Sequence, residues 1–482
     1  MPSVAIPFCG QTYTDKTKAA NAQRCVNLYP VRSPSADNDN RIVLYPTPGY
    51  SQILDTTQLG IVGCGALRCG IEINGTVYVV SGNQFLVLTY AGGTFTAVSK
   101  GTLYTSTGRC TVVCNTVELA ISDGKNGYVY NIAAATFTGI SGGGWPSSGV
   151  TNFAFMDGYV LGAQNGSKTL IQSGLLNAGS YGAQAFAAVT SFPDNLTAVF
   201  SDQINVYAFG PKLGEVRFNA ASIPFAFEKT QGALIQAGCV SPHTLVKLGG
   251  TLMWLASDAQ GRAYIAALQG YTPTVISTPP LNEVFQRYGS VTDAFAYGYR
   301  EGDSQFYAIT FPSANATWVY DTKNALFHER SQNGGRDLPE FCLPYLDQHL
   351  VGDLDGKLYW MSQNYNTDAK GQGISRSRTC SHVSSDGKPL FLQELEIMYE
   401  AGTAPLTGAG STPLATLEVS TDGGFTWRNA GTKSMGLTGQ YRNRLIWRRL
   451  GWGWQFTFRL TITDPARVYL LGATARIQAG YK

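Results

Sequence analysis

The residues with the clearest capacity for chemistry lie near the carboxyl end, in the segment 420–427, which reads STDGGFTW. Ser420, Asp422, Gly424 and Thr426 occupy alternate positions there, and Trp427 follows. An aspartate in this setting could act as a base, or its carboxylate could accept hydrogen bonds from N–H groups of its own turn. The glycines supply backbone conformations with positive φ, and the tryptophan can pack beneath the turn. The pattern predicts a structural β-hairpin turn, and one copy is weak evidence for catalysis.

The remaining sequence contains no recognisable catalytic or metal-binding motif. The four histidines, His243, His328, His349 and His382, lack the i, i+4 spacing of a metal site. The segment 353–356, DLDG, opens like a calcium loop but lacks the later oxygen ligands. We therefore predict no catalytic residues, no metal and no cofactor.

The cysteine count and the hydropathy pattern bear on where the chain is made. Nine cysteines are an odd number, so they cannot form a complete disulfide framework, and free thiols made in a reducing cytosol are predicted. The sequence shows no secretory signal and no apolar run of the roughly 18–20 residues that a membrane-spanning helix needs.

One charge feature stands out in the segment from Gly423 to Thr463, which contains seven basic residues and no acidic one. The basic residues are Arg428, Lys433, Arg442, Arg444, Arg448, Arg449 and Arg459. The whole chain has a formal net charge of only +3, so the segment's +7 leaves −4 elsewhere. The segment is interpreted either as a solvated face or as a patch for an acidic partner or for duplex DNA, held through phosphates. The alternating pattern predicts that Trp452 and Trp454 point into a core.

The composition and an internal repeat predict the fold class. Charged residues make up only 14% of the chain, whereas the 55 glycines, 26 tyrosines and 23 phenylalanines favour strands and tight turns. A turn followed by alternating apolar residues recurs, with spacings of 50, 31, 48, 47, 53 and 52 between marker aromatics. The markers are Tyr78, Tyr128, Tyr159, Tyr207, Trp254, Tyr307 and Tyr359. Such spacing is typical of β-propeller blades; the irregular gap favours six blades and allows seven.

After about residue 375 the strands become longer and alternate more regularly, which predicts a separate antiparallel β-sandwich. The polar segment 366–378 is the predicted joint. We therefore expect an all-β chain of three parts: 1–50, an N-terminal arm with the first propeller strands; 51–375, the β-propeller; and 376–482, the C-terminal sandwich. The one helix signal is at 279–290, with Asn282 as its expected N-cap.

Several stretches together resemble the tail-hub proteins of short-tailed bacteriophages, also called packaged-DNA stabilisation proteins. The stretches that carry the resemblance are RCVNLYPV (24–31), YPTPGYSQI (45–53), NLTAVFSDQINVYAFGPKLGEVRFNA (195–220), LGGTLMWLASDAQGRAYIAALQGYTPTVIST (248–278), TWVYDTKNALFHER (317–330), STDGGFTW (420–427) and RLIWRRLGWGWQFTFRLTITDPARVYLLGATARI (444–477). They cover most of the chain in order, most weakly around residues 90–190. No single motif is specific, whereas the ordered set is.

The resemblance implies a structural protein of the virion tail, made in the host bacterial cytoplasm, with no catalytic residues. Such a protein is expected to form a homohexameric ring below the portal and its adaptor ring. The ring would extend the DNA channel, retain packaged DNA until ejection, and anchor a tail needle or plug and the tailspikes or fibres. A transient, sequence-independent contact with duplex DNA fits this role.

The alternative is a sialidase-like propeller that binds or cleaves carbohydrate, such as a host-surface depolymerase. With 32 acidic residues, some carboxylate pair always falls at glycosidase spacing, so such a pair is not evidence for the reaction. The turn at 420–427 resembles the Asp box, S-x-D-x-G-x-T-W, of sialidase-like propellers, and we call it the Asp-box-like turn. It lies outside the predicted blades, which weakens this reading. For the hub, we expect the DNA conduit to lie between subunits, because a single propeller rarely leaves an opening of about 20 Å.

Overall fold

Short antiparallel strands dominate the computed structural model, which describes residues 3–33, 41–385 and 387–480. Strands account for 54% of the chain and helix for 3%, which confirms the all-β prediction. The helix α1 (Pro279–Arg287) begins after Thr278, so Asn282 lies in its first turn and is not the N-cap. Within the described residues, no helix has the length and apolar character needed to cross a membrane.

Six strands precede the repeated sheets. They are β1 (Val4–Ile6), β2 (Tyr13–Thr14), β3 (Ala22–Val26), β4 (Leu28–Ser33), β5 (Arg41–Pro46) and β6 (Gly49–Asp55).

Seven antiparallel units then follow, each with the four-stranded pattern of a propeller blade. Blade 1 is β7 (Leu67–Ile73), β8 (Thr76–Ser81), β9 (Gln84–Ala91) and β10 (Thr94–Thr102). Blade 2 is β11 (Thr111–Cys114), β12 (Glu118–Ser122), β13 (Gly127–Asn131) and β14 (Thr136–Gly139). Blade 3 is β15 (Val150–Met156), β16 (Tyr159–Gln164), β17 (Thr169–Gln172) and β18 (Phe186–Ala188). Blade 4 is β19 (Ala198–Ser201), β20 (Asn205–Phe209), β21 (Gly214–Asn219) and β22 (Phe227–Ile235).

The last three blades include two departures from the simple order. Blade 5 is β23 (Gly238–Cys239), β24 (Val246–Leu248), β25 (Thr251–Ser257), β26 (Ala263–Gln269) and β27 (Thr272–Val275), with β23 and β24 sharing one side of β25. Blade 6 is β28 (Phe295–Glu301), β29 (Ser304–Phe311), β30 (Ala316–Asp321) and β31 (Leu326–Arg330). Blade 7 is β32 (Phe341–Tyr345), β33 (Gln348–Gly352) and β34 (Lys357–Ser362), and β6 completes it from the other end of the propeller sequence.

The favoured count of six blades is therefore corrected to seven. Each of the seven marker aromatics lies in a different blade, so the markers had the right number. Tyr128 lies on the third strand of its blade and Tyr159 on the second strand of the next. This change of strand shortens the gap between them to 31 residues, and it explains the irregularity that suggested six.

The innermost strands of neighbouring blades contact one another: β7 with β11, β11 with β15, β15 with β19, and β28 with β32. The contact of β32 with β7 closes the ring. A buried ionic network fixes the closing strand β6. Arg330 Nε lies 2.7 Å from Asp337 Oδ2, and each side chain is only 2% exposed. Tyr50 of β6 donates its hydroxyl to Asp337 Oδ2 at 2.8 Å and accepts from Arg330 Nη2 at 2.6 Å.

The C-terminal strands form two further sheets. They are β35 (Arg376–Thr379), β36 (Val383–Ser384), β37 (Leu390–Tyr399), β38 (Leu414–Ser420), β39 (Arg428–Ser434), β40 (Leu445–Gly453), β41 (Gln455–Ile462) and β42 (Leu470–Ala479). One sheet has the order β4-β5-β42-β37-β40, with β1 also on β42, and the other contains β35-β41-β38-β39, with β36 also on β41. Their inward faces share one core, which includes Leu395, Trp447, Phe456 and Phe458. The sandwich prediction is confirmed.

The N-terminal division of the chain needs a correction. Residues 1–50 were expected to be an N-terminal arm with the first propeller strands, but β1, β4 and β5 belong to a sandwich sheet. Strand β6 completes blade 7, and β3 pairs with both blade 6 and the sandwich. The reason is the apolar face of this segment: Ile6, Leu28 and Leu44 are buried in the sandwich core. The boundary at residue 375 remains a prediction.

Strand β3 joins the two bodies. It pairs in parallel with β31 of blade 6 and antiparallel with β35 of the sandwich, so one eleven-stranded sheet runs through both. Asn27 reinforces this seam, because its Nδ2 donates to Ser331 O at 2.7 Å and to Ser375 O at 2.8 Å. Beside it, the buried Arg378 donates to Phe8 O at 2.7 Å. The propeller and the sandwich are therefore linked by backbone pairing rather than by a free linker.

Candidate partner-binding surfaces

The Asp-box-like segment forms the turn between β38 and β39. Asp422 Oδ1 accepts from Ser420 Oγ at 2.7 Å and from the backbone N–H groups of Phe425 and Thr426 at 3.0 Å. Asp422 Oδ2 accepts from Thr426 Oγ1 at 2.6 Å. Gly424, with a φ of +93°, donates its N–H to Ser420 Oγ at 2.8 Å. Both carboxylate oxygens are thus occupied inside the turn.

The electrostatics of this turn agree with a structural role. Partial burial opposes ionisation of Asp422, but the hydrogen bonds from Ser420, Thr426 and the backbone outweigh it and hold the pKa of Asp422 well below its ordinary value. A carboxylate stabilised in this way is a poor general base. Trp427 Nε1 donates to Gly424 O at 3.2 Å, and the Arg459 guanidinium carbon lies 4.3 Å from the centre of the Trp427 ring.

Three of the seven basic residues of the segment 423–463 are paired with glutamates on neighbouring strands. Arg444 donates to both oxygens of Glu396 at 2.6 Å, and Arg448 Nε donates to Glu394 at 2.7 Å. Arg459 forms two hydrogen bonds of 2.6 and 2.8 Å with Glu418. The local positive field is therefore weaker than the sequence count of seven suggests.

The other four cations lie at opposite ends of the sandwich. Within residues 3–33, 41–385 and 387–480, no carboxylate lies within 4.0 Å of the cationic groups of Arg428, Lys433, Arg442 or Arg449. Arg428 starts β39 and donates to Leu450 O, next to Arg449 in the middle of β40. Lys433 lies near the end of β39, and Arg442 precedes β40. The seven residues thus do not form one patch.

The expectation that Trp452 and Trp454 point into the core is wrong. Their exposed fractions are 59% and 55%, whereas Phe456 and Phe458 further along are fully buried. The alternation fails because β40 leaves one sheet at Gly453 and β41 enters the other at Gln455, so the two tryptophans flank a crossing between sheets.

Two more exposed aromatic side chains lie beside this crossing. Phe391 is directly opposite Trp452 in the β37–β40 pairing. Phe425 projects from the Asp-box-like turn, which touches the crossing through a bridge between Asp422 and Gln455. We call the surface formed by Phe391, Phe425, Trp452 and Trp454 the aromatic tip. The sequence signal that could have located it is the pair of glycines, Gly451 and Gly453, which break the strand pattern between the two sheets.

The centre of the propeller is narrow and crossed by charged side chains. The cavity there measures about 450 Å³. Arg109, which precedes blade 2, donates through Nη1 to Glu340 Oε2 at 2.7 Å, before blade 7. Arg336 Nη2 donates to the other oxygen of Glu340, and the Arg109 guanidinium carbon lies 3.4 Å from the centre of the Phe295 ring. Burial lowers the pKa of Arg109 to about 10, still well above neutrality.

Comparisons with known families agree with this architecture. The family model described as the β-propeller of bacteriophage P22 Gp10 matches residues 4–332, and the model described as the β-sandwich of bacteriophage P22 Gp10 matches residues 375–478. The chain belongs to this family. It is the tail-hub and DNA-stabilisation family of podophages, so this hub protein is a structural protein of the phage virion tail. In the structure, the blades of the hub protein continue past residue 332 to Ser362.

Other comparisons add only distant likenesses to the hub protein. No curated protein matches its sequence. The extracellular domain of the hybrid two-component system BT4673 from B. thetaiotaomicron is 10% identical over 71% of the chain, with a TM-score of 0.44, and the hub protein covers 46% of that chain. The hub protein thus spans about half the length of this neighbour. The N-terminal domain of Nup159 is 11% identical over 70% of the chain and 98% of its own, with a TM-score of 0.42. The WD40 β-propeller domain of Doa1 is 11% identical over 65% of the chain and 97% of its own, with a TM-score of 0.43.

The titratable groups of the hub protein give no sign of a metal centre in the part of the chain that the structure describes. No group of three His, Cys, Asp or Glu side chains there could hold an ion. His328 is fully buried beside Tyr29 and Phe306, and burial together with Arg330 lowers its pKa to about 3. All nine cysteines are free thiols.

Proposed function

We propose that this chain forms a closed ring, expected to be a homohexamer, that continues the channel of the portal and its adaptor ring. In this role it retains the packaged DNA, opens a path at ejection, and anchors the tail needle or plug and the tailspikes or fibres. The proposal rests on membership of the tail-hub family, which already makes the chain a structural protein of the virion tail.

The observation that supports the ring most directly is the narrow centre of the propeller. Duplex DNA is about 20 Å across. The Arg109, Glu340 and Arg336 side chains interact at the propeller centre beside a cavity of about 450 Å³, which is too small to admit a duplex. The duplex therefore needs another path, and an axis between several copies of the chain provides one.

The charge distribution suits a channel through which DNA must slide. Three of the seven candidate cations are neutralised by glutamates within the sandwich. Each phosphate that a protein neutralises contributes about −0.9 to the slope of log K against log salt, so a few free cations give weak binding. We infer a transient contact with DNA that does not read sequence, and a partner-facing role for the unpaired Arg428, Lys433, Arg442 and Arg449.

The carbohydrate-cleaving alternative gains nothing from the site that first suggested it. The carboxylate of Asp422 is saturated by hydrogen bonds within its own turn, and that turn lies in the sandwich. The structural role is the function that we retain.

Electron microscopy of intact tails from particles that carry this protein tests the proposal. The expected image shows six copies around the tail axis, with the DNA path on the symmetry axis and each propeller hole empty of DNA. Particles carrying Lys247→Glu provide the control, because Lys247 is exposed and lines the propeller cavity. Reversing its charge should leave DNA retention unchanged when the DNA runs elsewhere. A single copy per tail, or DNA density inside a propeller, contradicts the proposal.

A further inference from the structure

A hollow of about 600 Å³ lies on the propeller surface, where the turns between the first and second strands of blades 1, 6 and 7 meet. We call it the rim hollow. Leu346 at the turn between β32 and β33 is 60% exposed there, beside Tyr345. Two carboxylates, Glu72 and Asp347, line the hollow together with one guanidinium, Arg300. The hollow is thus concave, partly apolar and net acidic.

The aromatic tip at the end of the sandwich has the opposite properties. Its side chains project from a turn and from a crossing between sheets, so the surface is convex. Arg449 lies three residues before Trp452, and Arg428 donates to Leu450 O between them. No carboxylate of the described residues pairs with either arginine. Asp422, the acidic residue of the adjacent turn, is engaged by its own turn. Aromatic rings and arginines are the residues that most often dominate binding energy at protein interfaces.

We propose that the aromatic tip of one copy docks into the rim hollow of a neighbouring copy. The proposal rests on the ring-forming function proposed above and names the surfaces that form the ring. The exposed Leu346 and the neighbouring Tyr345 contact the aromatic side chains. The carboxylate of Asp347 faces the arginines of the tip, together with the Glu72 oxygen that the Gly75 N–H does not occupy.

Two physical arguments favour this occupant over DNA. A phosphate backbone would be repelled by Glu72 and Asp347, and it gains nothing from four exposed aromatic rings on the other surface. The two surfaces also lie on different bodies of one chain, so their contact is head-to-tail. A head-to-tail contact repeats around an axis and closes into a ring when the rotation permits, whereas a contact between identical patches would stop at a dimer.

Sedimentation velocity of the purified full-length chain over a concentration series tests this docking. Arg449→Glu should weaken self-association about tenfold or more, because a like charge is placed against the acidic hollow. Glu72→Lys should weaken it similarly. The chain that carries both changes should recover most of the loss, since the opposite charges then face each other with their signs exchanged. Trp454→Ser should also weaken self-association. Because this change removes apolar contact and no charge, adding salt to the wild-type chain should not produce the same loss.

Arg442→Glu is the matched control, because it makes the same charge change at the opposite end of the sandwich and should leave self-association unchanged. Thermal melting of every variant shows whether it is folded. If the wild-type chain associates but the chain with both Glu72→Lys and Arg449→Glu loses as much self-association as the two single changes together, the docking surfaces are wrong. The ring-forming function would still stand. If the wild-type chain stays monomeric at every concentration, the docking is rejected, whereas the ring-forming function is judged separately by the images of intact tails.

Discussion

The buried network that holds the last blade closed allows a quantitative prediction. Asp337→Asn keeps the shape of the side chain but removes the charge that faces Arg330, and both residues are 2% exposed. Breaking a buried ion pair by removing one partner typically costs about 3–5 kcal/mol, because the remaining charge has neither water nor a counter-ion. If the 482-residue chain unfolds as one unit, its unfolding entropy is about 1 kcal/mol per kelvin, so Tm should fall by about 3–5 °C.

Urea unfolding followed by tryptophan fluorescence and by circular dichroism measures this loss. The matched control is Asp303→Asn, because Asp303 faces Lys323 at 3.4 Å on the surface and its side chain is 85% exposed. The control should change the free energy of unfolding by less than about 0.5 kcal/mol. Its small effect would show that the cost at Asp337 comes from burial rather than from the loss of a charge as such.

A double replacement separates the ion pair from the packing around it. Arg330→Met with Asp337→Leu removes both charges and leaves the hydroxyl of Tyr50 without its acceptor, at a cost of about 1–3 kcal/mol. The double variant should therefore be more stable than Asp337→Asn alone. A loss below about 1 kcal/mol for Asp337→Asn, which is typical of surface pairs, would refute the reasoning.

Three further predictions concern other parts of the chain. His328 binds a proton below about pH 6.5 when unfolded but only near pH 3 when folded, so the free energy of unfolding falls as pH drops between these values. In urea titrations at several pH values, His328→Leu should reduce the pH dependence of that free energy by about 1.4 kcal/mol per pH unit. Val319→Ala, on the paired strand, should leave the pH dependence unchanged. Asp422→Ala should cost about 1–2 kcal/mol by thermal unfolding, because its turn loses charge-assisted hydrogen bonds that are partly screened by solvent. Arg448→Glu should lower stability by up to about 1 kcal/mol because it faces a glutamate, whereas Arg449→Glu should leave the melting temperature unchanged.

Local periodicity made the fold class predictable, while the blade count required the strand positions. Alternating aromatic and aliphatic residues mark the strands whatever their partners, so the propeller and the sandwich could both be predicted. The marker spacing assumed that each aromatic occupied the same strand of its blade. Tyr128 and Tyr359 lie on third strands, and this difference depends on how the loops divide each repeat.

Features that depend on distant pairing could not be predicted from the sequence. Glu394 and Glu396 lie about 50 residues before the arginines that they neutralise, so the segment 423–463 looked more basic than it is. The tryptophans at 452 and 454 followed the alternation of a single strand, but the chain changes sheets between them. Strands β1 and β5 pair with β42 more than 400 residues away, where local patterns carry no information.

The pairing of β1 and β5 with β42, and of β6 with β34, has a consequence for biosynthesis. Strand β6 can close the propeller once residue 362 has left the ribosome. The edges of β1 and β5 stay uncovered until residues 470–479 have followed. A product that stops between these points carries a closed propeller beside an unfinished sandwich, whose unpaired strands invite degradation before any particle incorporates it.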